Sequence, residues 1–196
     1  IINSRARIQT AMNLSKNIET KPYNAEKLKG YLPELRGMTV KEPKVFLPRM
    51  NEIFSECGIA FILLPHLKNS GVNGAVKWVT EDRVVLAMNN RGLDADKFWF
   101  SLFHELAHIV LGHVGQTNGT SEDDEKEADR WSGDTLIDSK DFEDFRRNGD
   151  YSESQVLQFA KAQGIAPGII VGRMQLEGMI KYSMLNNLKE KYEIVI

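Results

Sequence analysis

Apolar positions fall at helical spacing through the first quarter of the chain and then switch to short, strand-length runs. From Ile1 to about Lys21, Ile8, Met12 and Leu14 stand among polar neighbours, and Pro22 closes the segment, which predicts a helix. A second helix is expected from Ala25 to Leu35, stopped at Gly37. Phe46, Leu47, Met50, Ile53 and Phe54 repeat at helical spacing between Val45 and Cys57, with Gly58 as terminator. The pattern then changes. Ile59 to Leu64 (I-A-F-I-L-L) is a short apolar run closed by Pro65 and reads as a strand. After a turn at Ser70 to Gly74, Ala75 to Thr80 and Arg83 to Met88 alternate, joined by Glu81-Asp82 in a tight hairpin.

The last strand feeds Phe98 to His113, F-W-F-S-L-F-H-E-L-A-H-I-V-L-G-H, which is apolar most of the way round a helix. Asp94 or Asp96 is its expected cap. A loop from Val114 to Asp124 follows, and Ser121 can cap a helix from about Glu122 to Ile137. Shorter helices are expected at Asp141 to Arg147, Ser152 to Gln163 and, past a break at Gly164, Pro167 to Glu177. The tail from Tyr182 is mixed and ends in E-I-V-I, a candidate closing strand. The expected fold is α+β, with a small, mainly antiparallel, three-stranded sheet packed on the central helix and helices flanking it. It divides into an N-terminal helical segment (1–57), a core (58–150) and a C-terminal helical segment packed on that core (151–196).

The central helix carries His104, Glu105 and His108 in the order H-E-x-x-H. Residues four apart share a helix face, so both imidazoles can aim at one point, and neutral imidazoles suit zinc. Glu105 stands beside them, where a carboxylate can take a proton from water activated at a metal. Short patterns of this kind also arise by chance. Here, however, the polar face interrupts an apolar helix, where it is costly without a metal or partners. A catalytic zinc wants a third protein ligand. The next helix offers Glu125, Glu127 and Asp129. Glu125 and Asp129 share a face, and Ala128 is small enough to let the two helices approach. Glu125 is therefore the expected ligand, with Asp129 accepting the second ring N–H of a bound histidine. Glu127 is the fallback ligand and is otherwise expected to be solvated. His113 falls one residue short of the H-E-x-x-H-x-x-G-x-x-H arrangement and is expected at the surface or the edge of the site. His66 is expected to be a loop residue.

Composition narrows the setting. The chain has 196 residues, 42% hydrophobic, with a formal net charge of -2. That is enough for a real core and gives no basic bias toward nucleic acid. The single cysteine, Cys57, excludes a disulfide framework and fits a reducing cytoplasm. No signal peptide and no bilayer-length apolar run is evident. A start at Ile1 rather than Met suggests a piece of a longer protein with a domain in front.

The central helix followed by E-K-E-A-D-R-W-S-G-D-T-L-I, Glu125 to Ile137, resembles the ImmA/IrrE family of bacterial metallopeptidases. The resemblance reaches upstream to G-V-N-G-A-V-K-W and downstream to G-I-A-P-G-I-I-V-G-R-M-Q, roughly Val45 to Ile180. It implies a gluzincin-like site, with His104, His108 and Glu125 as zinc ligands and Glu105 as the base. It also implies cleavage of a helix-turn-helix repressor or antitoxin, in a stress, toxin-antitoxin or mobile-element response. A co-encoded toxin and an N-terminal DNA-binding domain are further expectations of the family. Asp138 stands where the family often has proline. The oxyanion of the reaction needs a donor, for which His113, Tyr151 and Arg173 are the candidates. Arg83 to Met88 is the strand nominated to bind an extended substrate by strand addition.

A rival reading is a regulator without proteolysis, using the fold as a sensor or protein-binding module. Ala160, Gly164 and Ile170 sit at helix-turn-helix positions. The would-be recognition helix offers only Arg173 and Gln175 to bases.

Overall fold

The computed structural model describes residues 2–64, 74–89, 94–115 and 120–192. The turn at 70–73, His66 and the terminal residues 193–196 lie outside these. Eight α-helices and three strands are described: α1 (Ile2–Ser15), α2 (Ala25–Gly37), α3 (Pro43–Glu56), β1 (Ile59–Leu64), β2 (Gly74–Thr80), β3 (Arg83–Asn89), α4 (Ala95–Val110), α5 (Glu122–Leu136), α6 (Ser139–Asn148), α7 (Glu153–Gln163) and α8 (Pro167–Leu176). The fold is α+β, as the pattern predicts.

The first helix stops earlier than Pro22 requires. Arg83 of β3 donates to the carbonyls of Ser15 and Ile18, and the Ser15 hydroxyl turns back to Met12 O at 2.8 Å. A side chain distant in sequence therefore satisfies the end of α1, and residues 16–21 leave the helix. Asp138, at the proline position of the resemblance, caps α6 by accepting from Asp141 N at 2.9 Å.

The sheet order is β1-β3-β2. β3 pairs antiparallel with β2 across the hairpin and parallel with β1. The sheet is thus mixed rather than mainly antiparallel. The reason lies in burial. Val84 to Met88 is an uninterrupted buried run, the mark of a central strand covered on both faces. One face, with Phe61, Val84, Leu86 and Met88, joins the main core with α3 and α4. The other, with Ala60, Ile62, Val85 and Ala87, packs under Ala11 of α1. β2 is half-exposed and forms the edge toward α4. The main core runs from Leu28 to Tyr192, so the flanking helices other than α1 contribute to one interior around α4.

A candidate metal centre beside an edge strand

Helix α4 is held rigidly because most of its surface is buried. Phe98, Trp99, Leu102, Phe103, Leu106, Ala107 and Ile109 all face the interior. Its N-terminus is tied to the end of the chain. Ala95 N donates to Glu190 O at 3.0 Å, Trp99 Nε1 donates to Tyr192 Oη at 2.6 Å, and Lys189 Nζ sits 2.7 Å from the buried Asp96 carboxylate. Asp94 is the N-cap residue, but its carboxylate accepts from Lys97 rather than from the helix backbone.

Helix α5 begins in a capping box, with Ser121 and Asp124 satisfying each other's backbone N–H groups. Ala128 is fully buried, and Trp131 packs on Phe103 of α4 with ring centroids 6.5 Å apart. The far end of α5 is gripped by two arginines. Arg36 of α2 donates to Leu136 O at 2.7 Å. Arg173 of α8 donates to Gly133 O at 2.8 Å and lies over the Phe142 ring at 4.2 Å. Both cations sit at the negative end of the helix dipole.

These two helices bring His104, His108 and Glu125 together. Their ligand atoms all lie within 4.8 Å of one another, the one such group of metal-capable side chains among the described residues. His104 Nε2 stands 3.2 Å from Glu125 Oε2, and His108 Nε2 3.6 Å from Glu125 Oε1. The two Nε2 atoms are 3.0 Å apart. Each remaining ring nitrogen already has a neighbour: His104 Nδ1 lies 2.8 Å from Asp129 Oδ1, and His108 Nδ1 lies 3.1 Å from His113 Nδ1. Two imidazole nitrogens and a carboxylate, each held from behind, form a donor set that suits zinc.

The electrostatics are those of a partly desolvated cluster. Burial, and then the neighbouring His104, hold His108 below its usual range. Desolvation raises Glu125, but the Thr120 hydroxyl and the two imidazoles outweigh it and keep the carboxyl low. Burial, and then the negative charge of Glu125, push Glu105 up to about 8. A cation at the ligand cluster acts in the opposite direction on Glu105.

The cluster opens on a cleft of about 1090 Å³. One wall is β2, from Gly74 to Trp78; Phe100, Val114 and Leu176 add apolar surface, and Lys77 and Arg130 add cations. The strand nominated from sequence, Arg83 to Met88, is the central strand and has no free edge. The edge strand that lines the cleft is β2. The three candidate oxyanion donors are engaged elsewhere. Tyr151 is absent from the cleft wall and donates to Arg146 O at 3.1 Å. Arg173 reaches the wall but spends its guanidinium on Gly133 O, Asp134 and Glu177. His113 lines the cleft at the edge of the site, but it is buried rather than at the surface and turns its Nδ1 toward His108. Glu127 is not simply solvated either: its Oε2 lies 3.3 Å from His113 Nε2.

Sequence reasoning passed over Thr120, Arg130, Phe100 and Gly74. Gly74 alone left a signal, as a glycine opening a strand. A Cβ there would meet Glu105 Cγ at 2.5 Å and Oε1 at 2.7 Å. The base candidate therefore lies flat against the strand backbone. The helix-turn-helix reading loses its reading surface. Ile169, Ile170, Val171 and Met174 of α8 are buried, and Gln175 donates to the carbonyls of Tyr182 and Met184.

No curated protein matches the chain. The model of the family described as Peptidase U49, which is related to ImmA/IrrE, matches residues 65–174. That span covers β2, β3, the whole of α4 and α5, and most of α8, more than half of the chain, and the protein therefore belongs to the peptidase U49 family.

Proposed function

We propose that this peptidase is a zinc-dependent endopeptidase of the ImmA/IrrE type, acting in the cytoplasm on a helix-turn-helix repressor or antitoxin. The observation that carries the reading is the convergence of His104, His108 and Glu125 within 4.8 Å, with Glu105 on the same cleft. His104 Nε2, His108 Nε2 and the Glu125 carboxylate would hold the metal. Zinc, when bound, supplies Lewis acidity, which acidifies water and polarises a peptide carbonyl. Glu105 accepts the proton of the attacking water and returns it to the leaving amine. Asp129 and the packing of α4 keep the imidazoles aimed. The substrate lies extended along the open edge of β2, where backbone hydrogen bonds provide binding and alternate side chains enter the cleft. Val76, Trp78, Phe100 and Leu176 favour apolar side chains there.

The test is zinc content together with cleavage of the repressor or antitoxin encoded beside the gene, on the parent and on Glu105→Gln. The expected result is about one zinc in both and cleavage in the parent alone. Equal biological output from both proteins would favour the regulator reading, in which the fold senses without cutting.

A further inference from the structure

The end of α4 brings a third imidazole onto the second histidine of the pair. Gly112 takes φ +78°, in the left-handed region that favours glycine. His113 N donates to His108 O at 3.0 Å, and Gly112 N donates to Ile109 O at 3.4 Å. These are the paired bonds of a Schellman motif, in which the residue after the left-handed one folds back over the last turn. That fold-back contact is commonly apolar. Here it joins two imidazoles, with ring centroids 5.2 Å apart and Nδ1 atoms 3.1 Å apart. His113 is only 6% exposed. Its other nitrogen, Nε2, lies 3.3 Å from Glu127 Oε2 and 3.7 Å from Asp124 Oδ1.

Resting on the zinc reading above, we propose that His113 is a positioning residue for His108. It accepts the Nδ1–H of His108 on its own Nδ1 and donates its Nε2–H to Glu127. The assignment follows from proton counting. A neutral imidazole carries one N–H, so a histidine that offers Nε2 to a cation keeps its proton on Nδ1. His108 must then be the donor in the 3.1 Å contact, and His113 Nδ1 must be the acceptor. That places the His113 proton on Nε2, where the carboxylate of Glu127 faces it. The two metal ligands are thereby backed differently. His104 leans directly on Asp129, whereas His108 reaches a carboxylate through a second imidazole. Three acidic residues of one helix divide the work: Glu125 faces the metal, Asp129 backs His104, and Glu127 backs His113. The same geometry turns both His113 nitrogens away from a ligand or oxyanion role, Nδ1 to the rear of His108 and Nε2 to Glu127.

The experiment compares His113→Leu with His113→Asn, side chains with the same branched heavy-atom skeleton. Asparagine can place a carbonyl oxygen near the position of Nδ1; leucine cannot accept at all. Zinc affinity of each metal-free protein is measured by chelator competition, beside the parent and His104→Ala. His113→Leu should bind zinc about 10–100-fold more weakly, and His113→Asn should stay within about threefold of the parent. Independently, histidine ring 1H–15N correlations on the zinc-loaded parent should report His113 as the Nε2–H tautomer, a measurement that needs no variant to fold. Parent-like affinity of His113→Leu, equal weakness of both variants, or an Nδ1–H tautomer at His113 would overturn the relay. If His104→Ala binds zinc as tightly as the parent, the metal reading falls and the relay with it. If His104→Ala loses zinc while His113→Leu keeps it, only the relay falls.

Discussion

Adding one methyl group at Gly74 separates the stability of this fold from its chemistry. Gly74 opens β2, pairs with Met88 of the central strand and is buried. Its backbone is not among the positive-φ glycines, so alanine fits the strand, where glycine is the weaker residue by about 0.5–1 kcal/mol. The new Cβ would nonetheless stand 2.5 Å from Glu105 Cγ, 2.7 Å from Oε1 and 2.9 Å from Cδ. Relaxed carbon contacts lie at ~3.5–4.0 Å, so one partner must retreat by roughly 1 Å. The strand is fixed by its pairing to β3, and the Glu105 side chain is what yields. A displacement of ~1 Å at a reacting group costs about 10²-fold in rate, or about 2.7 kcal/mol of transition-state stabilisation. Gly74→Ala should therefore keep its zinc, melt within about 3 °C of the parent and cleave about 100-fold more slowly. The assay is kcat on the cleaved substrate, with zinc content and thermal melting on the same preparation. Cleavage within about threefold of the parent, or loss of the metal, would refute the argument that Glu105 works from its seat against β2.

The remaining predictions test the ligands, the frame and a buried phenol. Glu105→Gln should retain zinc and lose cleavage by about 10²–10⁴-fold, whereas Glu125→Gln should weaken zinc itself; metal analysis beside activity would expose a reversed pattern. Arg173→Met removes donations to Gly133 O and Asp134 from a side chain 13% exposed. It should cost about 2–3 kcal/mol in urea unfolding, and a loss below about 0.5 kcal/mol would show that the end of α5 is held without it. Burial, partly offset by the donation from Trp99, pushes the Tyr192 phenol up to about 12. A phenol raised above its unfolded value near 10 gives stability that is complete below pH ~10 and drains away as pH rises toward the folded value. Absorbance titration should find one phenol ionising near pH 12, and Tyr192→Phe should flatten the loss of stability between those limits. An unchanged slope would contradict the burial.

Element types were legible because burial writes a period into the chain. Helices α2 to α8 and all three strands follow from it, since capping residues such as Ser121 and punctuating glycines such as Gly164 act locally. Sheet order was not legible, for two reasons. The hairpin makes β2 and β3 antiparallel through its turn, but nothing local states which of them β1 joins. The apolar run Val84 to Met88 does hold a clue. Its burial is continuous, whereas β2 is buried intermittently. Continuous burial marks a strand covered on both faces, and edge strand β1 is buried almost as continuously, so the clue separates β3 from β2 but not from β1. Reading that run as alternating made the central strand look like an edge. The end of α1 was hidden for another reason, because its carbonyls are satisfied by Arg83, far along the chain.

The site shows where helical arithmetic stops. A spacing of four aligns His104 with His108 and Glu125 with Asp129, and the structure brings His104, His108 and Glu125 into one cluster with Asp129 behind it. The same arithmetic turns Glu127 away from that face, and Glu127 is not among the clustered side chains that could hold an ion. The arithmetic is silent about what waits on the other side. Gly112 reverses the chain immediately after α4, and the reversal carries His113 around to the flank of α5 on which Glu127 stands. A residue three past a helix end has no helical phase, so periodicity cannot place it; a cap motif can. The Gly-His pair is one residue too short to deliver a third ligand in the H-E-x-x-H-x-x-G-x-x-H manner. It is the right length to press an imidazole on the rear nitrogen of His108. In this chain the helix stop signal and the proposed support of His108 are the same two residues.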